Sequence, residues 1–100
     1  MNTKKTPFVV IVRFETTAET QVTALAAIKN YIADFLSQQP GFISATLHRS
    51  FDGLSIANYA HWESASDFKH FAKLAKKHPD LPGLIQYNPT PCFYEITEQF

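Results

Sequence analysis

The sequence predicts a single α+β domain in which strands and helices follow the order β-α-β-β-α-β. Three observations carry this: four short runs rich in β-branched and aromatic residues, two stretches with apolar residues at helical spacing, and a capping signal before each stretch. One hundred residues, 45% of them hydrophobic and 14% aromatic, suffice for one packed core, so residues 1–100 form one domain with 1–7 as a flexible N-terminal segment.

Phe8 to Phe14 (Phe-Val-Val-Ile-Val-Arg-Phe) is apolar on both faces, as in a strand covered on both sides. Thr16-Thr17-Ala18-Glu19 matches a capping box, in which a hydroxyl takes a free helix N–H and the glutamate reaches back, so a helix is expected from there. Leu25, Ile28, Ile32, Phe35 and Leu36 recur every three or four residues and carry that helix to about Ser37, where Pro40-Gly41 follows.

From Phe42 to Glu63 two extended runs flank Asp52-Gly53, a dipeptide suited to the positive φ angles of a two-residue hairpin turn. Such a turn places residue 47 opposite 58 and 43 opposite 62. Ser64-Ala65-Ser66-Asp67 opens a second helix whose Phe68, Phe71, Ala72 and Ala75 share one face, and Lys76-Lys77-His78 before Pro79 suits a helix C-terminus. Residues 79–91 hold four of the six prolines, which predicts neither a regular helix nor a central strand but a lid or an arm toward a partner. Phe93 to Thr97 completes the order as the last strand. This is the ferredoxin-like arrangement, an antiparallel sheet with both helices on one face. The other face of strand one is apolar too, and a second copy of the chain packed sheet to sheet would cover it, giving a two-fold homodimer.

Nine basic and nine acidic residues balance, and no cluster exceeds a Lys-Lys pair, which argues against nucleic acid. No run is long enough to span a membrane or act as a signal h-region. Cys92 is the only cysteine and is expected as a small buried apolar residue; a cytoplasmic setting fits. The four histidines form no metal-ligand spacing, so no metal is expected.

Hairpin parity points to the chemistry. One face collects Ile43, Ala45, Leu47, Leu54, Ile56, Asn58, Ala60 and Trp62, with Asn58 its one strongly polar member. A buried amide without partners costs about 1–3 kcal/mol, so Asn58 must meet the backbone, water or a ligand. Trp62 adds a flat wall and an indole N–H. An ordinary core Asn beside a core Trp satisfies the same spacing. His48 is the candidate imidazole near neutral pH. A two-residue turn puts it on the opposite face with Tyr59 and His61, toward a subunit interface, whereas a longer turn or a bulge would return it to the pocket as a substrate-binding residue.

Asn58-Tyr59-Ala60-His61-Trp62-Glu63-Ser64, following His48-Arg49-Ser50-Phe51-Asp52-Gly53, resembles the N-Y-x-x-W-E-S signature after an R-x-x-D-G turn in the antibiotic biosynthesis monooxygenase family. Pro40-Gly41-Phe42 is similar to the P-G-F that opens strand two there, and the resemblance runs from Phe8 to Ile96. It implies a dimeric α/β barrel. It also implies a monooxygenase that oxidises a polycyclic, polyketide-like phenol or enol with O₂ and no metal, flavin or haem, with Asn58 and Trp62 catalytic and Phe68 and Phe71 holding the substrate rings. Where some of these enzymes carry a tyrosine or arginine, this chain has Phe68 and the proline-rich stretch, which leaves no phenolic donor or cationic clamp there. Haem-degrading relatives share the fold and the tryptophan, but they use a strand-one Asn that is absent here, although His78 stands near the end of the second helix. A small-molecule-binding or stress-response dimer without catalysis is the remaining alternative.

Overall fold

The computed structural model describes residues 7–100; most of the expected flexible segment 1–7 lies outside them. The elements are β1 (Phe8–Glu15), α1 (Gln21–Asp34), a 3₁₀ turn (Leu36–Gln38), β2 (Phe42–Arg49), β3 (Ser55–Trp62), α2 (Ala65–Ala75), α3 (Leu81–Ile85) and β4 (Thr90–Glu95). The sheet is antiparallel with the order β2-β3-β1-β4, so the two most apolar strands are central and the proline-bearing strand is at an edge. This is the ferredoxin-like α+β fold. Edge placement explains why β4 begins at Thr90 rather than Phe93: Pro91 lacks an N–H, and an edge strand tolerates that loss.

Pairing of Val10 with Ala60, Val12 with Asn58 and Phe14 with Ile56 puts these side chains on the helix-covered face. Trp62, Ile28, Ile56 and Val10 are the largest fully buried side chains, each contributing on the order of 1.5–3 kcal/mol by leaving water. The core falls into two clusters, one around Phe14, Ile28, Ile56 and Leu84 and the other around Val10, Leu36, Trp62 and Phe71; Val12, Tyr31 and Ile32 pack against both.

The hairpin register is the expected one near Asn58, which pairs with Leu47. Two details differ. The turn spans Phe51 to Leu54, closed by Ser50 N–H to the Ser55 carbonyl at 2.9 Å, with Asp52 Oδ1 accepting from Ser50 Oγ and Leu54 N–H. Only Gly53 of the dipeptide has positive φ, and Leu54 is exposed. At the other end a bulge between Phe42 and Ser44 puts Phe42 opposite Trp62 and turns Ile43 outward, 51% exposed. A bulge adds one residue and flips the parity beyond it, which is why Ile43 leaves the face.

The capping box at Thr16 does not form. Thr16 Oγ1 donates to the Gly53 carbonyl at 2.7 Å, Thr17 and Thr20 bond each other in a turn, and α1 starts at Gln21 with no side-chain cap. Gln21 is buried, and its amide donates to the Ser50 and Ser55 carbonyls at 3.1 and 3.0 Å, pinning the helix start to the hairpin. The second signal does form: Ser64 Oγ accepts from Asp67 N–H at 3.2 Å and donates to Asp67 Oδ2 at 2.8 Å. Gly41, at φ +83°, lies against that Asp67, and any Cβ there would run into its carboxylate.

The stretch 79–91 is not irregular throughout: it contains α3 and the start of β4. Pro82 sits in the first turn of α3, where its missing N–H costs no helix bond. Leu84 and Tyr87 are buried, and the Tyr87 carbonyl accepts from Glu15 N–H. Cys92 is exposed, because β4 offers it to the face away from the helices.

Candidate active site

Between the sheet and the helices lies a cavity of about 340 Å³, within the ~300–1,000 Å³ usual for small-molecule sites. Its floor is the sheet: Val10, Val12 and Phe14 from β1, Asn58, Ala60 and Trp62 from β3, and Pro91 from β4. Its roof comes from α1 (Tyr31, Ile32), Leu36 of the 3₁₀ turn, α2 and its end (Phe68, Phe71, Ala72, Ala75, Lys76), α3 (Leu81, Leu84) and Pro89. The proline-rich stretch therefore forms part of the wall of this space.

Four of the five residues expected at the site come together here. Asn58 is buried on the floor at 6% exposure, and its Oδ1 has no hydrogen-bond partner among the described residues. An unpaired buried amide oxygen loses about 1–3 kcal/mol, a cost that a ligand donor would relieve. Trp62 is walled by aromatics: Phe42 stands edge-on at 5.8 Å, Phe68 edge-on at 5.7 Å and Phe71 tilted at 5.3 Å. These contacts fix the indole plane. Phe68 also touches Phe8 and Phe93, which ties the start of α2 to both β1 and β4.

His48 is elsewhere. It pairs with Ala57, on the sheet face opposite Asn58, and is exposed, because the bulge lies beyond it at Phe42–Ser44 and leaves its parity unchanged. It does not line this cavity. His78 does not line the cavity either: its ring packs on Phe35 at 4.3 Å and edge-on to Tyr31 at 5.3 Å, and its Nδ1 accepts from Asp80 N–H at 3.1 Å. No group of three or more His, Cys, Asp or Glu side chains suited to a metal ion occurs among the described residues.

Two polar residues were missed. Tyr31 stands three residues after Ile28 and four before Phe35, so the helical period contained the signal. Its phenol is pushed up to about 12, first by burial and then by the Asp80 carboxylate, so it is a neutral hydroxyl at neutral pH. Lys76, read as a helix-end charge, also borders the cavity. A phenolic donor and a cation are thus present, supplied from α1 and the end of α2.

The family model described as antibiotic biosynthesis monooxygenase matches residues 7–78. The chain belongs to that family. Tetracenomycin-F1 monooxygenase of Streptomyces glaucescens is 39% identical over 69 residues, covering 67% of this chain and 61% of that protein. A monooxygenase from the ActVA-Orf6 gene of Streptomyces coelicolor, solved with nanaomycin D, superimposes with a TM-score of 0.73 at 29% identity, over 99% of this chain and 95% of its own. SnoaB of Streptomyces nogalater, a cofactor-independent oxygenase solved as a point mutant, gives 0.64 at 21% identity, over 94% of each chain; at that identity the shared feature is the fold. No helix among the described residues is long and apolar enough to cross a membrane.

Proposed function

We propose that this protein is a cofactor-independent monooxygenase that oxidises an aromatic, polyketide-like phenol or enol in the cavity between sheet and helices. The observation that carries the reading is the buried Asn58 amide, its Oδ1 unpaired among the described residues, on the floor of a largely apolar space walled by Trp62. The balanced reaction inserts one oxygen atom of O₂ at a ring C–H para to the phenol and sends the other to water, so that phenol plus O₂ gives quinone plus water.

An electron-rich phenolate can itself pass an electron to O₂. The protein's part is then to hold the ring, steady the charge on its oxygen and keep bulk water out. The unpaired Asn58 Oδ1 accepts the O–H of the neutral phenol, and the amide N–H₂ donates to a substrate oxygen as negative charge develops on the ring. Trp62, Phe68 and Phe71 pack on the ring faces and edges. Among the described residues the cavity lining contains no carboxylate or imidazole, so the phenol proton is passed to solvent, with the exposed Lys76 bordering the space.

The sheet face away from the helices presents Ile11, Tyr59, His61 and Tyr94, with the C-terminal residues 96–99 bordering the same groove. His61 Nε2 is buried there without a hydrogen-bond partner among the described residues. A second copy of the chain packed on this face, closing the barrel, is part of the proposal.

The test is oxygen uptake by chelator-treated protein supplied with anthrone-like and catechol-like compounds. Substrate-dependent consumption at one O₂ per quinone formed is expected. No consumption above the protein-free rate across the panel would reject the activity.

A further inference from the structure

We propose that Tyr31 is a second substrate-binding and specificity-determining residue, donating its hydroxyl from the helical roof to a substrate oxygen other than the one held by Asn58, so that the cavity selects aromatics with two or more oxygen substituents. This rests on the oxygenase reading of the same cavity and deepens it.

The cavity is lined mostly by carbon, and among the described residues its neutral side chains with a polar atom are Asn58, Trp62 and Tyr31. Asn58 rises from β3 and Tyr31 descends from α1, so the two address a bound ring from opposite walls. The Tyr31 ring is held edge-on by Phe35 at 5.4 Å and by His78 at 5.3 Å, which fixes its direction without using the hydroxyl. Tyr31 also packs against both core clusters. A neutral phenol donates one hydrogen bond, and burial together with Asp80 keeps this one protonated far above neutral pH. A site built to hydrogen-bond a substrate oxygen rejects an analogue lacking it, because its own polar group is then left unpaired. Lys76 borders the space as well, but its side chain is exposed to water, which weakens its grip on any one oxygen.

Tyr31→Phe removes only the oxygen and keeps the ring packing. Binding of 2-naphthol, which has one oxygen, and of 1,5-, 1,8- and 2,6-dihydroxynaphthalene would be measured calorimetrically under anaerobic conditions with the full chain and with Y31F. At least one diol should bind the parent protein more tightly than 2-naphthol, and Y31F should lose that advantage, a drop of roughly three- to tenfold for that diol with 2-naphthol unchanged. Equal weakening of all four ligands, or none, overturns the role. Emission of Trp62, the chain's one tryptophan, reports whether the variant keeps its core. Oxygen uptake by the parent protein separates the two readings: uptake with no diol preference keeps the oxygenase and rejects Tyr31, whereas a parent that binds no ligand and takes up no oxygen rejects both.

Discussion

The floor and the roof of the cavity are built by different rules. The floor is a sheet with period two, so once Leu47 faces Asn58 the positions of Ile56, Ala60 and Trp62 follow without further information. The roof is assembled from α1, a 3₁₀ turn, α2, α3 and a proline-rich connection, each joined to the floor by its own contacts. A pattern repeated along one element is readable residue by residue. A surface patched together from five elements depends on how each is pinned.

The largest expected effect bears on the floor. Trp62→Ala removes the ring that Phe42, Phe68 and Phe71 pack against and should cost about 3–5 kcal/mol in urea denaturation. A loss under about 1 kcal/mol would mean that the roof holds itself without the indole. Asn58→Leu separates function from folding: oxidation should fall about a hundredfold in kcat/KM, while stability stays level or rises by up to about 1 kcal/mol, because an unpaired amide oxygen is exchanged for carbon. Parallel loss of activity and stability would make Asn58 an ordinary core residue.

The joint between floor and roof is the next test. Gly41→Ala places a Cβ against Asp67 at a backbone angle that L-residues avoid and should cost about 2 kcal/mol. Ser64→Ala, which removes the cap from the same α2 terminus, should cost about 1 kcal/mol. Because both act on one terminus, the double variant should cost less than the sum, and full additivity would show that the two contacts are independent.

The smallest effect concerns the roof alone. Tyr31 keeps its proton in the folded chain up to about pH 12, whereas an unfolded tyrosine ionises near 10. The unfolded state therefore sheds a proton first, so this contribution to stability is complete below pH 10 and fades as pH rises from about 10 to 12. Comparing the parent with Tyr31→Phe by denaturation and by absorbance at tyrosinate wavelengths checks this. Identical pH dependence in the two proteins would contradict it.

Legibility in the sequence followed the same division. Both central strands, the register at Asn58 and the Ser64 cap were readable because each depends on neighbours within one hairpin or one helical turn. Ile43 was misplaced because nothing between Phe42 and Ser44 announces a bulge. The Thr16 hydroxyl matched a local capping pattern but was claimed by the carbonyl of Gly53, a partner 37 residues away. Prolines at 82 and 91 looked like breakers, yet one occupies a first helical turn and the other an edge strand, the two places where a missing N–H goes unnoticed. Tyr31 was visible in the helical period, but its use became apparent only with the cavity beside it.

A phenolic ligand that enters the space between floor and roof should meet Asn58. On ¹⁵N-labelled protein titrated anaerobically with a dihydroxynaphthalene, the Asn58 side-chain amide and the Trp62 indole N–H should shift together and saturate at one ligand per chain. Shifts confined to Tyr59 and His61 on the opposite sheet face, with Asn58 and Trp62 unmoved, would contradict the account.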